Sequence, residues 1–165
     1  MAAKLTRTIT HWLLKTEPDV FSIFDLAAVP NRSTCWDGVR NYQARNFMRD
    51  QMRVGDPVLV YHSNANPSAV VGVAHVSALA YPDDKAFDPK DPHYDSKSKV
   101  EAPTWFMVDI QLDAIFQQEL SLQALREVKG LEAMELLRKG SRLSVQPVRL
   151  QEFQIIRKLG KPKTL

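Results

Sequence analysis

The chain has almost no cysteine and no long apolar run. Its 165 residues include one cysteine, Cys35, so no disulfide forms within the chain and the fold does not depend on oxidation. No apolar stretch reaches the roughly 20 residues of a membrane-spanning helix, and no signal-peptide core follows the basic, polar start. We therefore expect a protein of the cytoplasm, or of the nucleus in a eukaryote, with no membrane partner.

Several signatures of enzymes and metal proteins are also missing. The six glycines form no phosphate-binding loop of standard spacing, and the four histidines are scattered. No second cysteine completes a zinc site, and no nucleophile-elbow pattern is present. We expect no metal, no organic cofactor and no catalysis. An acid–base pair of Glu17 and Asp37 is the alternative, if the fold brings these two carboxylates together.

The basic residues are concentrated at the C-terminal end. The chain has a net charge of +3, but residues 138–165 hold eight basic side chains and one acidic one, which leaves a net charge of −4 on the preceding 137 residues. A basic end on a mildly acidic body is expected of a protein that binds a polyanion. A solvated helix with a basic tail has the same composition, so charge alone does not choose between them.

The order of strand-like and helix-like segments predicts an α+β fold with a small, strongly curved or barrel-like sheet, in a single domain over residues 1–165. Strands are predicted over 11–16, 57–63, 69–79, 105–115 and 142–146, and helices from Ser22 and over 40–52, 121–127, 131–139 and 148–159. Pro147 is expected to open the last of these helices. The strands 57–63 and 69–79 are expected to form a hairpin. Residues 80–103, with four prolines and five aspartates, are expected to form an irregular loop.

Four motifs stand out, and together they resemble a known family. They are Trp12–Ser22, Trp36–Asn46, Tyr61–Asn64 followed by Val70–Ala74, and Arg142–Val148. With Ala80–Asp83 and Tyr94–Asp95, they resemble the EVE-domain family of PUA-like proteins, over most of the chain from Trp12 to Leu159. The resemblance implies a PUA-like β-barrel with flanking helices, related in fold to the YTH readers of methylated adenine. It also implies non-enzymatic binding of a modified base in a nucleic acid, with modified cytosine in DNA favoured and modified RNA the other candidate.

A base reader needs a flat apolar surface for stacking and polar groups that read the base edge. Trp36 is the predicted platform, because backbone can approach a ligand closely at the following Asp37-Gly38 and because the resemblance relates the fold to a tryptophan-caged reader. A core position is the alternative for Trp36, and it is what we expect for Trp12 and Trp105. Asn41 is the candidate edge reader, since its amide both donates and accepts; the alternative is a cap at a helix start.

The other candidate residues lie where strands end, in the irregular loop or on charged surfaces. The predicted pocket adds Lys15, Thr16, Glu17 and Pro18 after the first strand, His62, Ser63 and Asn64 after the second, and Ser144 and Tyr94. The alternatives are ordinary turn polarity for Asn64, a salt bridge for Glu17, and for Tyr94 a loop anchor packed on the barrel. Arg45, Arg49 and Arg142 are the candidate phosphate contacts, although Arg45 and Arg49 suit solvent equally.

Two other functions stay open: an enzyme acting on nucleic acid or a nucleoside, and a protein–protein adaptor. Turnover of a nucleoside or oligonucleotide would identify the enzyme. A basic, concave, aromatic-lined site would argue against the adaptor.

Overall fold

The computed structural model describes residues 7–165, which form a mixed α+β structure. The strands are β1 (His11–Thr16), β2 (Ser33–Trp36), β3 (Pro57–His62), β4 (Ala69–Pro82), β5 (Phe106–Ser121), β6 (Val145–Val148) and β7 (Pro162–Thr164). The α-helices are α1 (Ile23–Ala28), α2 (Tyr42–Asn46), α3 (Leu122–Arg126) and α4 (Leu150–Gly160). Short 3-10 helices occupy Pro30–Arg32, Asp84–Phe87 and Glu135–Leu137, and a π-helical turn, Phe47–Gln51, continues α2.

One sheet contains all seven strands. Six of them follow the order β2-β5-β4-β3-β1-β6, and β7 pairs with β5. Among the paired strands of residues 7–165, β1 and β3 are the only parallel neighbours. The β4–β5 ladder changes register at four places, and such bulges bend and twist strands. Within the described residues β2 and β6 do not pair with each other, so the sheet is not closed. The α+β class is confirmed and the barrel is not.

Apolar side chains pack on both faces of this sheet. Because β1 lies between β3 and β6, its Trp12, Leu13 and Leu14 are all fully buried. Successive side chains of a strand point to opposite faces. Trp12 and Leu14 therefore join one hydrophobic cluster, which also contains Trp36, while Leu13 joins a second cluster with Phe153 of α4. A strand that is covered on both faces has consecutive apolar residues in its sequence, as β1 has in Trp12, Leu13 and Leu14.

The two N-terminal helices begin at side-chain caps. Ser22 accepts a hydrogen bond from the Asp25 amide and the Asp25 carboxylate accepts one from the Ser22 amide, which confirms the predicted start of α1. Asn41 caps α2, its Oδ1 accepting from the Ala44 amide at 3.0 Å. The helix predicted over 40–52 is shorter in the structure: α2 covers Tyr42–Asn46, and the π-helical turn Phe47–Gln51 follows it.

The predicted boundaries after residue 105 need correction. Strand β5 runs on to Ser121 because β2, β4 and β7 all pair with it. The predicted helix 131–139 is wrong: three-residue turns fold this segment, with the Met134 amide donating to the Leu131 carbonyl and the Leu137 amide to the Met134 carbonyl. Pro147 does not open the last helix but lies in β6, at the end of the strand order, where a missing N–H is tolerated. None of the helices in residues 7–165 has the length and hydropathy needed to cross a bilayer.

Candidate functional site

A cavity of about 540 Å³ opens beside the C-terminal ends of β1 and β2. Its apolar wall consists of Val20, Phe21, Cys35 and Trp36. Its polar lining consists of Lys15, Thr16, Glu17, Asp37, Gly38, Ser63, His93, Arg142 and Ser144. The lining therefore combines a small apolar wall that contains Trp36 with many convergent polar groups, and a site that stacks a base and reads its edge needs both.

Strand pairing brings part of this lining together. The parallel ladder sets Thr16 opposite His62, and the Ser63 amide donates to the Thr16 carbonyl at 2.9 Å. On the other side of β1, the Lys15 amide donates to the Ser144 carbonyl at 2.9 Å. Residues from three separate motifs therefore meet at one end of β1, as the sequence predicted for Lys15, Thr16, Ser63 and Ser144.

The curl of the sheet brings Trp36 to the cavity. Trp36 ends β2 and pairs with Val108 of β5, whereas Ser144 directly precedes β6 at the opposite end of the strand order. Both nevertheless line one cavity. The sheet therefore wraps around the cluster that contains Trp12, Leu14 and Trp36, and the cavity lies where its two ends approach each other.

The three tryptophans differ in how their indole N–H is satisfied. Trp12 donates to Asp56 at 2.9 Å and Trp105 donates to Asp95 at 2.7 Å. Within residues 7–165 the indole N–H of Trp36 has no hydrogen-bond partner. It is not a buried unpaired atom, so solvent can reach it. Trp36 is 7% exposed and belongs to the core as well as the cavity wall. The structure therefore places Trp36 both in the core and at the cavity, and its role as a stacking platform stays a prediction.

A folded-back segment, residues 17–22, forms one side of the cavity. The Thr16 hydroxyl donates to the Phe21 carbonyl at 2.7 Å, and the Val20 and Phe21 amides donate to the Glu17 carbonyl. His62 does not line the cavity. Its Nε2 accepts from the Ile23 amide at 3.0 Å, and burial lowers the pKa of this imidazole. His62 thus holds the start of α1 and, with it, the end of this segment.

Gly38 and His93 form another side. Gly38 has a φ of +76°, and its amide donates to the buried Asp83 carboxylate at 2.9 Å. The His93 ring lies directly against it: a Cβ added to Gly38 would be 2.7 Å from the His93 Nε2. Arg40 secures the contact by donating to the His93 carbonyl and to Asp83. The irregular loop is therefore anchored on the segment that follows Trp36.

Several predicted pocket residues do not line this cavity. Asn41 is exposed and occupied as a helix cap, which matches its alternative reading. Asn64 is exposed in the β3–β4 turn with a φ of +50°, and Tyr94 lies in a turn with 43% of its surface exposed. Pro18 belongs to the folded-back segment without reaching the lining. A role for these four in binding stays a prediction.

The candidate phosphate contacts differ in how far they are already engaged. Arg45 donates to the Thr104 carbonyl and to Asn46, and Arg49 is paired with Asp50 at 2.7 Å. Arg142 is exposed, lines the cavity, and has no side-chain hydrogen bond or ion pair within residues 7–165. Of the three, Arg142 has the guanidinium most available to a phosphate at the cavity.

Burial changes the pKa values of three side chains that line the cavity. It lowers the pKa of Lys15 and raises that of Cys35. The pKa of Asp37 is raised, first by burial and then by the neighbouring Asp83 carboxylate. Among the described residues, no group of three or more His, Cys, Asp or Glu side chains is arranged to hold a metal ion.

Six lining residues were not predicted as pocket residues: Val20, Phe21, Cys35, Asp37, Gly38 and His93. The first five lie within or next to the motifs Trp12–Ser22 and Trp36–Asn46, so adjacency was a usable signal. His93 directly precedes Tyr94–Asp95, so adjacency was a usable signal there too, although the loop has no regular periodicity that predicts which of its side chains face the cavity.

The basic C-terminal tail lies away from the cavity. On β5, Val108 pairs with Trp36 whereas Phe116 pairs with Pro162. At about 3.3 Å per residue, these two points are roughly 26 Å apart along the strand. Arg157 and Lys158 line a separate groove beside His11 and Phe153. Any contact that the tail makes with a polyanion is therefore distant from the cavity.

Comparison with known proteins supplies the family. Residues 10–159 match the EVE domain. Thymocyte nuclear protein 1 of Gallus gallus is 42% identical over 173 residues, covering 94% of this chain and 71% of that protein. A hypothetical protein from Leishmania major has a TM-score of 0.86 at 44% identity, with 93% of this chain and 95% of that one covered. Human THYN1, solved in complex with 5-methylcytosine containing DNA, has a TM-score of 0.85 at 39% identity, with 93% and 98% covered.

Proposed function

The chain belongs to the EVE domain family, and on this premise we propose that it is a non-catalytic reader of modified cytosine in DNA. The modified base enters the cavity and stacks on Trp36, and the polar lining reads its edge. Modified RNA is the second substrate class that such a pocket would admit.

The free indole of Trp36 carries this proposal. A tryptophan that is purely structural usually satisfies its N–H within the protein when buried, as Trp12 and Trp105 do here. Trp36 instead presents an unpaired donor beside an apolar wall formed with Phe21, Val20 and Cys35. An aromatic face with an adjacent free donor suits a base, which has an apolar face and hydrogen-bonding edges.

The relatives support the choice of modified cytosine. Human THYN1 was solved with 5-methylcytosine containing DNA, and this chain matches it over 93% of its length at 39% identity. A base held in a pocket must leave the helix stack, so the phosphates on either side come close to the protein surface. Arg142 and Lys15 place positive charge at the cavity for such phosphates.

A binding screen with matched oligonucleotides tests the proposal. Two duplexes differ only in one cytosine, methylated at C5 or not, and affinity is measured for the wild-type chain, Trp36→Ala and Trp36→Phe. Loss of the stacking surface in Trp36→Ala is worth roughly 1–3 kcal/mol, which is about a fivefold to hundredfold loss of affinity for the modified duplex. Trp36→Phe recovers part of it, and binding to the unmodified duplex changes little.

Melting temperature is measured beside affinity because Trp36 also belongs to the core. Truncating a core tryptophan costs roughly 3–5 kcal/mol of stability. A lowered melting temperature together with equal loss for both duplexes would mean that Trp36 is structural only. Wild-type protein that binds both duplexes equally would refute the reader itself.

An enzyme is the second candidate, because Glu17 and Asp37, the two carboxylates considered as an acid–base pair, line the same cavity. Hydrolysis of the modified oligonucleotide, abolished by Asp37→Asn, would establish it. The adaptor has less support, since the cavity is concave, contains Trp36 and Phe21, and carries Lys15 and Arg142.

A further inference from the structure

The cavity contains a carboxylate without a partner. Asp37 is half-buried and lines the cavity directly after Trp36. Within residues 7–165 no other residue donates a hydrogen bond to its side chain. By contrast, the neighbouring Asp83 carboxylate accepts from Gly38, Arg40 and Lys85, and Asp95 accepts from Trp105. Asp37 therefore keeps its acceptor positions open toward the cavity.

The position of this carboxylate is fixed by its neighbours in sequence. Trp36 is held in the β2–β5 ladder opposite Val108, and Gly38 is held by its hydrogen bond to Asp83. Asp37 lies between these two anchors, so its backbone has little freedom. A desolvated carboxylate that no other described residue donates to gains more from a new donor than one surrounded by water. Burial, and then the neighbouring Asp83 carboxylate, raises the pKa of Asp37.

We propose that Asp37 accepts a hydrogen bond from the exocyclic amino group of the bound base and so makes the cavity select 5-methylcytosine over thymine. The inference rests on the proposed function. The two bases carry the same methyl group at C5 and differ at position 4, where cytosine has an N–H donor and thymine an oxygen acceptor. An ionised carboxylate only accepts, so it pairs with cytosine and repels the oxygen of thymine.

Among the serine and charged side chains of the lining, Asp37 discriminates best in this direction. The hydroxyls of Ser63 and Ser144 both donate and accept, so they pair with either base. Lys15 and Arg142 only donate, so they would favour thymine. Glu17 is the other acceptor, but it is exposed, and water satisfies its carboxylate. Selection against thymine therefore falls to Asp37.

Four duplexes separate reading of the methyl group from reading of the base edge. They are identical except for one target base, which is 5-methylcytosine, cytosine, thymine or uracil. The target faces an abasic site in the opposite strand, so no pairing with the complementary base distinguishes the duplexes. The ratio of dissociation constants for thymine and 5-methylcytosine, and for uracil and cytosine, reports the edge. The ratio for cytosine and 5-methylcytosine, and for uracil and thymine, reports the methyl group.

The wild-type chain is expected to show edge ratios of about fivefold to hundredfold, the usual range for one matched base contact. Asp37→Asn is nearly isosteric, and its amide can turn to donate or accept. It should bring both edge ratios to within about twofold of unity while the methyl ratios stay at their wild-type values. Asp84→Asn is the matched control: it removes the same charge from an exposed carboxylate outside the cavity and leaves all four ratios unchanged.

Different results would refute the role of Asp37 and the proposed function on which it rests. Edge ratios that persist in Asp37→Asn, beside an intact methyl ratio, overturn the role of Asp37 and leave the modified-cytosine reader standing. A wild-type chain with no methyl ratio and no edge ratio overturns both. If Asp37→Asn does not fold, as judged by its melting transition, Asp37→Ser makes the same test, because a hydroxyl also pairs with either base.

Discussion

Replacing Gly38 by alanine tests whether the wall formed by His93 belongs to the binding site. The added Cβ would be 2.7 to 2.9 Å from three atoms of the His93 ring, whereas ordinary contacts begin at 3.4 Å. The ring must therefore retreat by about 0.7 Å. Its movement is opposed by the contact of the His93 Nδ1 with the Asp91 carboxylate at 3.2 Å, while the His93 backbone is held by Asp91 and Arg40.

Backbone strain accompanies this clash and has to be separated from it. Gly38 has a φ of +76°, where a side chain costs of the order of 1–3 kcal/mol. For a chain of this size, each kcal/mol lowers the melting temperature by about 2–4 °C. Gly55→Ala is the matched control: Gly55 has a φ of +92°, and nothing lies within 4 Å of the added Cβ. Both variants should melt a few degrees below the wild type.

Only Gly38→Ala should then lose affinity for the modified oligonucleotide. Displacement of one wall costs about 1 kcal/mol, the lower end of what a stacked base contributes, which is about a fivefold higher dissociation constant. Affinity is measured by titration at a temperature well below both melting transitions. Equal affinities for Gly38→Ala and Gly55→Ala would refute the idea that His93 shapes the base pocket.

Three further predictions concern charge, protonation and packing. Arg142→Gln should weaken modified and unmodified duplexes alike and reduce the slope of log affinity against log salt by about 1; an unchanged slope between low and high salt would exclude a phosphate contact. Burial lowers the pKa of His62 from 6.5, so below pH 6.5 the unfolded chain binds more protons and the free energy of unfolding falls. Denaturant titrations across pH 5 to 7 should show a flatter profile for His62→Gln, and identical profiles would contradict this. Gly72→Ala places a Cβ 2.4 Å from the Ile23 side chain and 2.5 Å from the Ala114 carbonyl. The substitution should cost roughly 1–3 kcal/mol of stability. An unchanged melting temperature would show that the β4–β5 ladder accommodates the added methyl group.

The basic tail gives a separate test of which charges matter. Trimming Lys161–Leu165 should weaken all sequences alike, because phosphate contacts carry no base information. Salt-dependent affinity that is unchanged by the trimming would leave the tail without a role in binding.

Local patterns in the sequence identified several elements without any knowledge of their tertiary partners. The buried strand Trp12–Leu14, the capping box of Ser22 and Asp25, and the β3–β4 hairpin each follow from residues close together in the chain. The same reasoning was wrong for residues 131–139 and for Pro147. Apolar spacing cannot distinguish an α-helix from successive turns packed on a core, and a proline suits both a helix start and an edge strand.

Tertiary structure alone decided how the site is assembled. The sequence selected Trp36 and Ser144 as site residues, but only the curl of the sheet brings them to one cavity from opposite ends of the strand order. Likewise, only folding decides which indole N–H is left unpaired, and that His93 lies against Gly38. Such contacts join residues distant in the chain, and they depend on strand order, bulges and burial, which no short window of sequence encodes.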